Sequence, residues 1–169
     1  MIKFNKLRDV KDPKRNSGDA GIDLFIPNCT KEFQRDLEAK NDVCYGDCWN
    51  GIIKIPAGQD ILIPAGVQSK FRANVALVAN NKSGIATKKK LTVGAQVIDS
   101  SYQGEIHIHL FNNADHPVEV SCGQKIVQLV PYYIDSSDVE VTMQDSSSFY
   151  DGIVTDRGNG GFGSTSLSK

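Results

Sequence analysis

Asp99 and Tyr102 stand close together in a short polar segment, Asp99-Ser100-Ser101-Tyr102-Gln103-Gly104. Its small side chains and closing glycine make a turn. The residues before it are apolar at Val93, Ala95, Val97 and Ile98. Those after it alternate, with Ile106, Ile108 and Leu110 on one face and Glu105, His107 and His109 on the other, as a half-buried strand does. The pattern predicts a hairpin over residues 93–110, with a carboxylate and an aromatic ring at its mouth and strand backbone open between them. Such a mouth suits a flat, hydrogen-bonding ligand such as a nucleobase. Taken alone, Asp99 reads as a turn-former before it reads as a base.

Two other segments carry groups that handle anions. Asn80-Asn81-Lys82-Ser83-Gly84 leaves an apolar strand and enters a predicted helix, where backbone N–H groups, a hydroxyl and an ammonium can face one phosphate. A capped turn with a solvated lysine gives the same pattern. Near the C-terminus, residues 157–165 join the cation of Arg157 and the ring of Phe162 to glycines that free the backbone to wrap a ligand. A Gly/Ser-rich terminus without order is the alternative.

The elements that must position these groups are short strands. Apolar or alternating runs occur at residues 2–7, 22–26, 52–55, 60–63, 67–71, 75–79, 118–120 and 125–133, separated by Gly, Pro and Asn turns. The run at 75–79 is apolar throughout and fits a strand buried on both faces. Helix signals are confined to residues 32–40 and to 85–90, the latter with Ser83 as its expected cap. The pattern predicts an all-β sandwich or barrel. Residues 28–50 interrupt it as a polar, cysteine-containing insertion, expected to be an excursion on the surface.

The 169 residues suffice for one domain with a sizeable core. A formal net charge of −1 argues against nucleic acid as a partner, and the cluster Lys88-Lys89-Lys90 is too short to reverse that. No apolar run is long enough to span a bilayer and no secretory leader opens the chain, so a soluble intracellular protein without a membrane partner is expected. Cys29, Cys44, Cys48 and Cys122 read as free thiols rather than a metal knot or a redox pair.

Taken in order, five segments of the chain resemble the trimeric dUTPases, which cleave dUTP to dUMP and pyrophosphate. They are Ala20-Gly21-Ile22-Asp23-Leu24, Lys82-Ser83-Gly84-Ile85-Ala86, residues 93–105, Gly123-Gln124-Lys125-Ile126-Val127-Gln128-Leu129 and residues 157–165. The resemblance implies a distorted, jelly-roll-like β-barrel subunit in a homotrimer, with each active site built from all three chains. Residues 1–150 would form the barrel with its insertion at about 28–50. Residues 151–169 would be a swapped or closing C-terminal arm.

The resemblance also implies roles. Asp99 would activate the water that attacks the α-phosphorus, and Tyr102 would pack under the deoxyribose. The hairpin backbone around Gln96, Val97 and Ile98, with His107 opposite, would read uracil. Lys82, Ser83, Gly84 and Gln128 would contact the phosphates. Arg157, Phe162, Gly163 and Ser164 would close over the substrate, and Asp23 would hold water on a triphosphate-bound Mg²⁺. The cytoplasm is the expected compartment, or the host cytoplasm if the source is a virus.

Several residues depart from the family pattern. Gln96 stands where glycine is usual, Asn81 where proline is, and Lys82 and Lys125 where arginines are. Lysine keeps the charge without the bidentate fork of arginine. A dCTP deaminase-related enzyme, or a pyrophosphatase of altered base preference, is the competing chemistry; the carboxylate at Asp99 favours dUTP cleavage. A nucleotide-sensing protein that meets a protein partner through residues 28–50 is the reading of another class.

Overall fold

The computed structural model describes residues 1–41, 50–135, 139, 141–143, 153 and 155. Contacts divide the chain into a unit Met1–Ser136 and a second unit Ser137–Lys169. Of the second, the described residues Val139, Val141, Thr142, Met143, Ile153 and Thr155 are all exposed.

The first unit is an all-β, jelly-roll-like fold. Its strands are β1 (Lys3–Lys6), β2 (Ile22–Phe25), β3 (Ile52–Ile55), β4 (Asp60–Pro64), β5 (Val67–Lys70), β6 (Val75–Asn81), β7 (Leu91–Val93), β8 (Val97–Ile98), β9 (His107–Asn112), β10 (Val118–Ser121) and β11 (Lys125–Tyr133). They pair antiparallel as β1-β5, β10-β3, β2-β11-β6-β8 and β4-β9-β7. Alternation in the sequence becomes alternation in burial. Ile53 and Ile55 of β3 and Val118 and Val120 of β10 point inward, while Lys54 and Glu119 point to solvent. β6 lies between β11 and β8, and its Val75, Ala76, Leu77 and Ala79 are all buried, as its unbroken apolar run predicts.

The first helix, α1 (Lys31–Lys40), corrects the expectation of a surface excursion. Thr30 caps it by accepting from the Phe33 N–H at 3.2 Å. Phe33 and Leu37, one turn apart, are buried in the common core. Asn41 then stitches the helix end to β4: its amide donates to the Leu62 carbonyl at 3.0 Å and its side-chain oxygen accepts from the Leu62 N–H at 2.8 Å. The apolar stripe was too narrow to reveal this. Two well-spaced side chains are nevertheless enough to dock a short helix on a sheet.

Two further expectations change. The second helix, α2 (Ser83–Lys89), is entered from Lys82, not capped by Ser83. The hairpin of residues 93–110 is split. Val93 pairs with Leu110, but Val97 and Ile98 leave that ladder and pair with Val78 and Leu77 of β6. Cys29 and Cys122 are half-buried thiols, and Cys44 and Cys48 lie outside the described residues. Among the described residues no helix is long and apolar enough to cross a membrane.

Candidate active site

The splitting of the hairpin makes a pocket. β7 follows β9 as far as Gly94, whose N–H donates to the His109 carbonyl at 2.9 Å. Only glycine fits there, because a Cβ would lie 2.3 Å from His109 Nδ1 and 2.6 Å from the Phe111 ring. The chain then crosses to the other sheet, where the Gln96 carbonyl accepts from the Ala79 N–H at 2.8 Å. Between the separated arms lies a pocket of about 200 Å³. Its buried floor includes Ala79 and Ile106, and Gln96, Val97, Asp99 and Tyr102 stand at its exposed rim.

The rim is organised by backbone. The Tyr102 N–H donates to the Asp99 carbonyl at 3.1 Å, closing the turn. The Tyr102 hydroxyl donates to the Glu105 carbonyl at 2.8 Å. The ring lies so close over Gly104 that a Cβ there would be 2.6 Å from its oxygen. His107 Nδ1 lies 2.9 Å from the same Glu105 carbonyl. A carbonyl only accepts, so Nδ1 carries a proton and donates it there. Among the described residues nothing hydrogen-bonds the Asp99 carboxylate, which is exposed. It is available to a water and a substrate.

A second pocket, of about 310 Å³, is lined by Lys82, Ser83, Gly84, Ile85, Lys125 and Gln128. The first helical bonds of α2 run from the Ile85 and Ala86 N–H groups to the Lys82 carbonyl, so the Ser83 and Gly84 N–H groups precede them. Gln128 on β11 donates to the Asn81 carbonyl at 3.0 Å. Its side chain fills the space over Gly21, where a Cβ would be 2.5 Å from Gln128 Oε1.

Asp23, opposite Gln128 in the β2-β11 ladder and buried, joins the two lysines. One carboxylate oxygen accepts from Lys82 Nζ, and the other lies 2.8 Å from Lys125 Nζ. Burial works against its ionisation, but the hydrogen bonds from Lys125 and Lys82 prevail and hold its carboxyl pKa below the ordinary carboxylate range. Two ammonium groups share one carboxylate, leaving a surplus positive charge beside the Ser83 and Gly84 backbone. That balance suits a polyanion.

Among the described residues no group of three His, Cys, Asp or Glu could cage a metal ion. With both oxygens already accepting from lysines, Asp23 retains only spare lone pairs. This donor set fits an outer contact to the waters of a cation carried by a ligand, not a metal bound by protein alone.

Of the residues predicted from sequence, the structure gathers Gln96, Val97, Ile98, Asp99, Tyr102 and His107 around one pocket. It gathers Lys82, Ser83, Gly84 and Gln128 around the other, with Asp23 tied to Lys82. Arg157, Phe162, Gly163 and Ser164 lie outside the described residues. Sequence reasoning missed Arg8, whose guanidinium clamps Glu105, and His109, which was placed on the right face but given no task. Gly94 opposite His109 was the available signal: a glycine entering a strand crossing marks close approach of another group.

A family model described as dUTPase matches residues 39–166. A deoxyuridine 5'-triphosphate nucleotidohydrolase of Clostridium acetobutylicum is 33% identical over 172 residues, 99% of this chain and 98% of that protein. Among solved structures, the dUTPase of Staphylococcus bacteriophage 80alpha with dUpNHpp superposes with a TM-score of 0.69 at 18% identity, over 97% of each chain. A mutant dUTPase of phage phi11 of S. aureus, whose structure shows the coordination of a structural Mg(II) ion, gives a TM-score of 0.63 at 18% identity, over 87% of this chain and 99% of that one.

Proposed function

The chain belongs to the dUTPase family, and from that premise we propose that it hydrolyses dUTP to dUMP and pyrophosphate, with Asp99 activating the attacking water. The reaction lowers dUTP and supplies dUMP for dTTP synthesis. The observation that carries the mechanism is the Asp99 carboxylate, exposed and without a hydrogen-bond partner among the described residues, at the rim of the pocket made by the split hairpin.

Uracil is read by the backbone of Gln96, Val97 and Ile98, with His107 across the pocket. Main-chain donors and acceptors there match a base edge without a dedicated side chain. The Tyr102 ring, fixed through its hydroxyl to Glu105, lies under the deoxyribose, where a ribose 2′-hydroxyl would collide with it. Lys82, Ser83, Gly84 and Gln128 take the phosphates. Arg157 adds a cation, Phe162 covers the base, and Gly163 and Ser164 add donors.

Asp99 takes a proton from water as the water oxygen bonds to the α-phosphorus; the bond to the bridging oxygen breaks and pyrophosphate departs. Asp23 is the residue that would hold a triphosphate-borne Mg²⁺ through water, and the ion would there supply neutralisation of part of the phosphate charge. The rest of the rate comes from position.

The working particle is a homotrimer with sites assembled from all three chains, a barrel of residues 1–150 and a closing arm of residues 151–169, in the cytoplasm. Residues 28–50 are the segment through which a protein partner would bind. The test is pyrophosphate release with Mg²⁺ from dUTP, dCTP, dTTP and UTP in parallel. Release from dUTP alone is expected. Ammonia from dCTP, or equal release from another base, overturns the assignment of substrate. Binding of dUTP without release overturns the reaction.

A further inference from the structure

We propose that His109 is a positioning residue of the base pocket, whose ring holds the Ala95–Gln96 crossing where it forms the pocket wall and so sets how tightly and selectively a pyrimidine base is taken. The proposal rests on the reading of that pocket as the base site. His109 itself does not line it.

The argument starts from an orphaned donor. Val93 is the last residue of β7, so Ala95 has left the ladder with β9, and no strand partner accepts its N–H. His109 Nδ1 accepts it at 3.1 Å. One residue earlier, the His109 carbonyl accepts from the Gly94 N–H. One residue later, Gln96 is tied to the other sheet through Ala79. The crossing is therefore pinned at three successive residues, and His109 supplies two of the pins.

The ring is itself held in place. Because Nδ1 accepts, the neutral imidazole carries its proton on Nε2, which lies 2.7 Å from Asp60 Oδ2 on β4. Phe111 flanks it with ring centroids 4.7 Å apart, and the bare Cα of Gly94 closes over it. A pocket that reads a base through backbone groups depends on where that backbone lies, and a displacement of about 1 Å forfeits the hydrogen bonds. Ala95 is exposed, so without that acceptor its N–H turns to water and the wall loses the bond that fixes it against β9.

The test compares His109→Leu with His109→Asn. Asparagine places an oxygen where Nδ1 stands and still accepts from Ala95; leucine has the same branching and no acceptor. His109→Leu is expected to raise KM for dUTP about tenfold, with kcat within about twofold, and to narrow the preference for dUTP over dCTP by a similar factor. His109→Asn, which keeps the acceptor for Ala95 but gives up the Asp60 anchor, should raise KM about threefold, well short of the leucine variant. Asp60→Ala, at an exposed position, leaves Nε2 without its partner and should raise KM about threefold. If the leucine variant fails to fold, an unchanged KM in Asp60→Ala overturns the proposal. Leucine and asparagine variants with the same KM and the same base preference also overturn it, as does a fall in kcat alone. A wild-type protein inactive on dUTP overturns the functional reading and this role with it. An active wild type with matching variants overturns the role alone.

Discussion

Arg8 grips Glu105 with a two-pronged ion pair, Nε to Oε1 at 2.7 Å and Nη2 to Oε2 at 2.8 Å, and so ties the loop after β1 to the foot of the Asp99–Tyr102 turn. The same carboxylate accepts from the Gly66 N–H at 2.7 Å, and Arg8 Nη2 reaches Asp36 of α1 at 2.5 Å. The Glu105 carbonyl meanwhile serves both Tyr102 and His107. One residue thus faces the scaffold with its side chain and the pocket with its backbone. The hydrogen bond to Glu105 outweighs burial and, with Asp36, holds the guanidinium charged beyond its already high ordinary value.

Arg8→Ala should therefore destabilise the protein by about 3 kcal/mol, because Glu105 would keep its largely buried carboxylate without the cation that compensates it. Arg8→Lys retains the charge but not the fork, and should cost about half as much. Urea unfolding measures both. A loss below about 1 kcal/mol in Arg8→Ala would mean that the pair behaves as an exposed one.

Phe33→Ala should cost about 3–4 kcal/mol, since the ring is fully buried in the common core and its removal leaves a cavity. A surface excursion would tolerate the change within about 0.5 kcal/mol. Thermal unfolding of this one variant separates a helix that belongs to the core from one laid on it.

How much of this was legible in the sequence depended on the range of the interaction that decides each feature. Alternation through Ile106, Ile108 and Leu110 marked β9, and the unbroken run from Val75 to Ala79 marked a strand buried on both faces, because burial of a strand is written in its own residues. The partner of Val97 and Ile98 was not legible. It lies on β6, and nothing local tells a strand that its neighbour in the turn will be abandoned at Gly94. Lys82 was read as a phosphate contact and Lys125 only as a charge standing where arginine is usual, and their shared carboxylate emerges only once β2 and β6 flank β11. The resemblance named side chains expected to meet the ligand. It had no access to Arg8 and His109, which act one contact further out.

Asp23 gives the acid side of the stability profile. Its native pKa lies below the ordinary carboxylate value of about 4, so its contribution is complete above that pH and is lost as the pH falls through the depressed native value. Asp23→Asn removes that dependence and leaves Lys82 and Lys125 facing each other without an anion. The variant should be less stable than the wild type at pH 7, and the gap should narrow below about pH 4. A constant difference between pH 7 and pH 3 would show that the pairing contributes nothing to folding. Added inorganic triphosphate should recover part of the loss at pH 7, because it supplies the missing negative charge.

Asp99→Asn should bind dUTP nearly as well as the wild type and turn it over at least about 100-fold more slowly, because the shape of the turn is kept while the base is lost. The Asp99 contribution to that turn is its backbone carbonyl, which the substitution leaves in place. Single-turnover kinetics with a binding measurement separate the two effects. Turnover within about tenfold of the wild type would remove Asp99 from the reaction.

Gln96→Gly addresses a position where the family resemblance leads one to expect glycine. The backbone there does not require glycine, since Lys90 is the sole non-glycine residue with positive φ among the described residues. Nor does the fold need the Gln96 side chain, because Gln96 joins the other sheet through its carbonyl and is otherwise exposed. What the side chain does is occupy the rim of the pocket, with an amide that can donate and accept. If that amide meets the base, Gln96→Gly should raise KM for dUTP about threefold to tenfold and alter its ratio to KM for dCTP, while the melting temperature moves by less than about 3 °C. An unchanged ratio with unchanged KM would make the side chain a bystander, and base selection would then rest on the backbone of Gln96, Val97 and Ile98 alone.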